Sequence, residues 1–162
     1  MTAWRFEFLS DCMEHAALLA DWHVREWQPL VPSMNVPDML AEFSTHAWRV
    51  QIPTTLVAFD GNEVVGSVSL LENDHDDIRA WSPWLASLYV RPDCRGRGLG
   101  IELVRRCEDM AHQLGIPVLH LYTSGQEPFY RKLGWDGIAT LSLRGACASV
   151  MAIAPRALAA AA

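Results

Sequence analysis

The chain has 162 residues, 51% hydrophobic and 20% charged, which is the size and composition of one globular domain and excludes a disordered chain. Its net charge of −6 argues against a nucleic-acid binder, whose phosphate contacts need a basic face. No apolar run approaches the roughly 18 residues that cross a bilayer, and the opening MTAWRFEFLSD lacks a basic segment followed by an apolar core, so neither a membrane span nor a secretory leader is expected.

In chain order, Trp4 to Leu9 alternates like a strand. Asp11 with Glu14 predicts a capping box for a helix whose face carries Met13, Ala16, Ala17, Ala20, Val24 and Trp27. Pro29 and Pro32 open a loop, and Asn35 with Pro37 predicts a second helix start, with Met39, Leu40, Phe43 and Ala47 on its apolar face. Thr55 to Phe59 and Val64 to Leu71 read as strands joined by the turn Asp60-Gly61-Asn62. An acidic loop follows from Glu72 to Asp77, then a strand from Trp84 to Val90. A Pro/Gly/Arg loop from Arg91 to Gly98 leads to a helix over Ile101 to Leu114, ended by Gly115 and Pro117. Val118 to Tyr122 reads as a buried strand and Gln126 to Leu133 as a short helix capped at Gly134-Trp135. Ile138 to Leu143 and Ala146 to Ile153 close the chain as strands, before the Ala-rich tail 157–162, which is expected to fray. This order predicts a mixed α/β layer fold in a single domain over residues 1–156.

The four cysteines, Cys12, Cys94, Cys107 and Cys147, form no CxxC, and without a leader they read as reduced thiols in a cytoplasmic protein. The six histidines form no HExxH, and a metal site from Asp74, His75 and Asp77 would crowd its ligands into one loop, so no metal is expected.

The chemistry concentrates in LYVRPDCRGRGLGIEL, Leu88 to Leu103. Alternating Gly96, Gly98 and Gly100, with Arg95 and Arg97 between strand and helix, make an anion cradle. Glycines let backbone N–H groups approach a ligand, and a helix N-terminus adds unpaired donors and partial positive charge. A Walker-type loop would need Lys-Ser/Thr. A dinucleotide fingerprint would need a wider third glycine spacing and an acid after the next strand, where Tyr122-Thr123-Ser124 stands instead.

The run Arg95-Gly96-Arg97-Gly98-Leu99-Gly100 resembles the acyl-CoA pyrophosphate motif of the GNAT superfamily of N-acetyltransferases, Gln/Arg-x-x-Gly-x-Gly/Ala. About thirty residues on, Phe129-Tyr130-Arg131-Lys132-Leu133-Gly134-Trp135 resembles that family's Phe-Tyr-x-Lys-x-Gly-Phe signature, with Trp135 replacing the last Phe. The resemblance covers nearly the whole chain. It implies a mostly antiparallel sheet with a V-shaped splay between two central parallel strands and helices on both faces. It also implies acetyl-CoA as acetyl donor and direct attack by a primary amine of a small molecule or peptide. A non-catalytic CoA-binding or sensing module, or use of another acyl-CoA, remains open, as does a homodimer.

By the same resemblance, the backbone of Arg97, Gly98, Leu99 and Gly100, with Arg95 and Gly96, would hold the pyrophosphate. Leu88, Tyr89 and Val90 would pair with the pantetheine arm on a bulged strand and polarise the thioester carbonyl. Thr123 stands where many members carry Asn. Tyr130 looks like the general acid for the leaving thiolate and Glu72 like a general base for the amine, while His120 and His23 read as structural. Cys94 reads as incidental. Acceptor choice is expected from the segment Trp22 to Met39 and from Trp81 to Trp84, where an aromatic, acidic mouth would suit a cationic amine.

Overall fold

The computed structural model describes residues 3–74, 78–143 and 145–158. Its seven strands are β1 (Arg5–Phe8), β2 (Thr54–Asp60), β3 (Glu63–Leu71), β4 (Trp84–Val90), β5 (Leu119–Thr123), β6 (Asp136–Leu143) and β7 (Ala146–Ile153). They form one sheet in the order β1-β2-β3-β4-β5-β7-β6. Every pairing is antiparallel except β4 with β5. Among the described residues four α-helices join them: α1 (Ala16–Trp27), α2 (Val36–Ser44), α3 (Leu99–Gln113) and α4 (Glu127–Lys132). This is the mixed α/β fold that the element order predicted, with the central parallel pair that the family resemblance implied.

The helices divide between the two faces because the strands alternate. Leu56 and Ala58 of β2 pack with Leu85, α3, Tyr130 and Trp135 in one cluster. Their neighbours Val57 and Phe59 pack with Leu19, Ala20 and Val24 of α1 and Phe43 of α2 in another. Trp84, Val150 and Ala148 form a smaller cluster under the partly buried Trp81 and Tyr122. α3 buries Leu99, Leu103, Val104, Cys107, Met110 and Ala111, a stripe at helical spacing. Each fully buried Leu, Val or Met there adds roughly 1.5–3 kcal/mol.

The local signals succeed where a side chain or glycine meets a helix end directly. Asn35 caps α2 through a 2.9 Å bond from the Asp38 amide, with Pro37 in the first turn. Gly115 and Gly134 sit at φ +73° and +98°. Each closes its helix with the paired bonds of a Schellman turn: Gly115 N–H to His112 with Ile116 N–H to Ala111, and Gly134 N–H to Arg131 with Trp135 N–H to Tyr130.

Two expectations fail locally. Asp11 and Glu14 make no capping box; residues 9–15 form two 3-10 turns, α1 begins at Ala16 without a side-chain cap, and Asp11 instead receives Arg49 at 2.8 Å. α3 begins at Leu99 rather than Ile101, so Gly100 lies in the first turn of the helix and not in the loop before it. The other strands and helices match to within one or two residues, save the end of α2: it closes at Ser44, and Ala47, expected on its apolar face, lies exposed beyond it. Most of the tail, 159–162, lies outside the described residues. No helix among the described residues is long and apolar enough to cross a membrane.

Candidate functional site

The site is built around the one place where the sheet comes apart. β4 and β5 share a single paired position, Trp84 with His120. Beyond it the two strands diverge, so the β5-facing edge from Leu85 to Val90 has no ladder partner among the described residues. On its other edge β4 stays paired with β3 through Ser67 opposite Tyr89 and Gly66 opposite Val90.

A bulge in β4 shapes this edge. Ser67 pairs with Tyr89 but Ser69 pairs with Ala86, so β4 carries one extra residue around Ser87 and Leu88. Ser87 takes the left-handed conformation at φ +53°, a strain of order 1 kcal/mol for a residue with a Cβ. Its carbonyl faces His23 Nε2 at 3.2 Å, while His23 Nδ1 lies 2.7 Å from the Leu19 carbonyl. His23 is 1% exposed, and burial pulls its pKa below the ordinary histidine value. β3 approaches the bulge closely because Gly66 has no side chain: a Cβ there would sit 2.8 Å from the Tyr89 carbonyl and 3.2–3.3 Å from Leu103 and Leu99.

The glycine loop sits at the open end of the splay. Gly96 and Gly98 have φ of +76° and +88°, and a Cβ on either would project into open space. Gly98 is the N-cap of α3, and its carbonyl accepts from Glu102. The amides of Leu99, Gly100 and Ile101 therefore have no partner inside the helix. Open space over left-handed glycines beside free first-turn donors fits a diphosphate. Gly100 lies beside both α4 and β4: a Cβ there would stand 3.8 Å from Phe129 Cζ and from Val90 Cγ2.

Arg95 is turned away from this cradle. Its Nε donates to the Val90 carbonyl at 2.8 Å, its Nη2 lies 3.6 Å from Glu26, and its guanidinium sits 5.6 Å from the Tyr89 ring. The Val90 carbonyl is thus already bonded. Cys94 is 2% exposed, below the loop surface.

Tyr130 lies on α4 facing α3, edge-on to Phe129 at 5.0 Å and to Trp135 at 6.2 Å. Burial pushes its phenol up to about 12. Thr123 ends β5 opposite Ser149, half-buried. Glu72 follows the last residue of β3 and is exposed; Ser82 Oγ donates to its backbone carbonyl at 2.5 Å. Leu71 pairs with Trp84, so Glu72 stands beyond the closed end of the splay. His75, Asp76 and Asp77 lie outside the described residues, and among those described no three His, Cys, Asp or Glu side chains gather as a metal site.

The tryptophans separate by burial. Trp84 is 0% exposed, its indole N–H bonded to the Trp81 carbonyl at 2.8 Å. Trp22 stacks on Tyr89 at 5.3 Å, and Trp27 meets the same ring edge-on at 6.2 Å. Trp22, Trp27 and Tyr89 form an aromatic wall on the α1 side of β4. Sequence reasoning did not single out Gly66, Ser87 or the bulge-facing role of His23. No local pattern marks them, because each acts through a neighbouring strand.

The sequence model of one family, described as the acetyltransferase (GNAT) family, matches residues 16–135. Solved structures share the fold at low identity. The yncA structure from Salmonella typhimurium, which holds acetyl-CoA as its cofactor, is 18% identical, with 98% of this chain and 97% of that one covered at a TM-score of 0.71. An acetyltransferase of the GNAT family from Streptococcus pneumoniae is 16% identical, with 93% and 98% covered at 0.66. An acyl-CoA N-acyltransferase from Pseudomonas aeruginosa is 15% identical, with 94% and 99% covered at 0.65. No curated protein matches the sequence.

Proposed function

Because the chain belongs to the acetyltransferase (GNAT) family, we propose that it moves the acetyl group of acetyl-CoA directly to a primary amine of a small molecule or peptide. The observation that carries this reading is the parting of β4 from β5 after one paired position, with a bulged, unpartnered edge leading to the glycine loop and the N-terminus of α3. An extended pantetheine arm needs such an edge, and a diphosphate needs such a helix end.

In this reading the amides of Arg97, Gly98, Leu99 and Gly100 hold the diphosphate. Gly96 lets the loop turn, and Arg95 braces it by tying Val90 to Glu26. Leu88, Tyr89 and Val90 line the arm, and an amide at the bulge polarises the thioester carbonyl where charge develops. Tyr130 supplies the proton side of the leaving group. With its phenol near 12, well above a thiol's roughly 8.5, it stays protonated at any working pH. It serves the departing thiolate first as a hydrogen-bond donor. Thr123 contributes a hydroxyl at the rim. The wall of Trp22, Trp27 and Tyr89 suits a cationic acceptor.

The test is a thermal melt with and without excess acetyl-CoA. At about 100 times Kd a single-site ligand adds roughly 2.7 kcal/mol, a rise in Tm of roughly 5–10 °C for a domain of this size. The rise disappears in Gly98→Glu, which sets a carboxylate against the diphosphate. No rise in the wild type overturns the reading.

A further inference from the structure

At the point where β4 and β5 part, one imidazole is anchored on one side only. His120 is the β5 residue of the single β4–β5 pair. Its backbone N–H donates to the Pro83 carbonyl at 3.0 Å, and its Nδ1 lies 3.2 Å from that same oxygen. A carbonyl can only accept, so Nδ1 carries the hydrogen, and in the neutral ring Nε2 is then the nitrogen with the lone pair. Nε2 makes no bond to a described residue, and it is not one of the fully buried partnerless atoms of the core, so within a residue only 8% exposed this nitrogen still reaches solvent. A ring held through one nitrogen, with the other open to solvent, can exchange a proton with a bound acceptor.

The surroundings specify which function. Trp84 stands 5.6 Å from the His120 ring, and Tyr122, two residues along β5, meets Trp84 edge-on at 6.1 Å. Alternation along β5 puts His120 and Tyr122 on the face opposite Leu119 and Leu121, which pack with α3. Tyr89, on the other side of the opening, also faces away from α3, towards Trp22 and His23. His120 thus borders the splay on the face away from α3 and α4. The bulge at Ser87 lies three residues beyond Trp84, about 10 Å up the strand. A nucleophile seated between ring and bulge is within direct or one-water reach of Nε2. Glu72 is one strand farther off, exposed at the outer corner.

We propose that His120 is the general base for the acceptor amine; the assignment rests on the acetyl-transfer reading above. The amine nitrogen forms a bond to the thioester carbonyl carbon and the carbon–sulfur bond breaks. One amine proton passes to Nε2 and one proton reaches the sulfur from the Tyr130 side. Solvent returns the proton on His120 to Tyr130, leaving one amide and one CoA thiol from one neutral amine and one acetyl-CoA; an ammonium acceptor first loses its additional proton through Nε2 to solvent.

The test follows thiol release from acetyl-CoA with two probes: spermidine, whose amines are protonated at neutral pH, and hydroxylamine, which is uncharged there and needs far less help from a base. His120→Asn places an amide nitrogen where Nδ1 was, keeping the bond to Pro83 while removing the lone pair. The expected result is a loss in kcat of about 10²-fold with spermidine, a change under about threefold with hydroxylamine, and an unaltered Tm rise with acetyl-CoA. Equal losses with both amines mean a structural role and overturn the assignment, as does full activity with spermidine. The same selective loss in Glu72→Gln, with His120→Asn unaffected, gives the proton to the carboxylate and also overturns it. Absence of the acetyl-CoA Tm rise in the wild type overturns the acetyl-transfer reading instead.

Discussion

A phenol in an apolar cluster keeps its proton, because the charged form loses its hydration. Tyr130 shows the effect, at about 12 between α3 and Trp135. The same burial that makes it a weak acid makes it a permanent donor, which is what a departing thiolate needs early in bond cleavage. Tyr130→Phe removes that hydrogen and little packing. It is expected to lower kcat by about 10²-fold, the scale of one acid–base group, with the acetyl-CoA Tm shift unchanged. Steady-state thiol release decides it, and full turnover in the variant removes Tyr130 from the reaction. Arg95 shows the opposite lesson at the same scale. Its sequence position beside the glycines suggests a phosphate ligand, but its guanidinium finds Val90, Glu26 and Tyr89 first.

Among the elements, the bulged β4 depends on its neighbour. Gly66 of β3 leaves room for the Tyr89 carbonyl and for Leu99 and Leu103 of α3 at once. A methyl group at 2.8 Å from a backbone oxygen cannot be absorbed by a rotamer change, so Gly66→Ala must push β4 or α3 outward. Overpacking of this kind costs roughly 1–3 kcal/mol, a fall in Tm of roughly 2–12 °C, and the shift falls on the edge that the donor uses. Reduced acetyl-CoA stabilisation alongside the lower Tm is the expected signature; a variant with unchanged Tm contradicts the close packing. The early start of α3 has a similar origin. Gly100 is a poor helix residue by propensity, which is why the sequence suggests a later start. Left-handed Gly98 and the buried Leu99 nonetheless begin the helix two residues sooner.

For the whole molecule, two buried histidines link stability to pH. His46 is 3% exposed and joined to Thr55 at 2.7 Å, which in turn meets Ser69 at 2.8 Å. Burial, then the nearby His23, pulls its pKa from 6.5 to about 4. A folded pKa below the unfolded one means that the unfolded chain binds the proton first as pH falls. This contribution is therefore intact above about pH 6.5 and is lost between there and about pH 4. For His46 alone it amounts to roughly 3 kcal/mol, and His23 shifts in the same direction. Urea unfolding at pH 7, 5.5 and 4.5 is expected to show falling stability, with a shallower fall in His46→Asn. Parallel curves for the two proteins contradict this account of His46.

Much of this protein was legible as sequence because the signals are local. Strand alternation, Asn35 and Pro37 at a helix start, and Gly115 and Gly134 at helix ends all act within a few residues. The glycine loop and the Phe129–Trp135 run carried the family in the same way. The capping box at Asp11 failed because a competing partner, Arg49, lies 38 residues away. What only the tertiary structure decided depends on contacts between distant strands: the parting of β4 from β5 after one pair, the bulge at Ser87 faced by His23, the room left by Gly66, and the one-sided anchoring of His120 by Pro83. A sequence pattern records which face a residue turns to its own element. It does not record which carbonyl, ring or carboxylate another element brings to meet it.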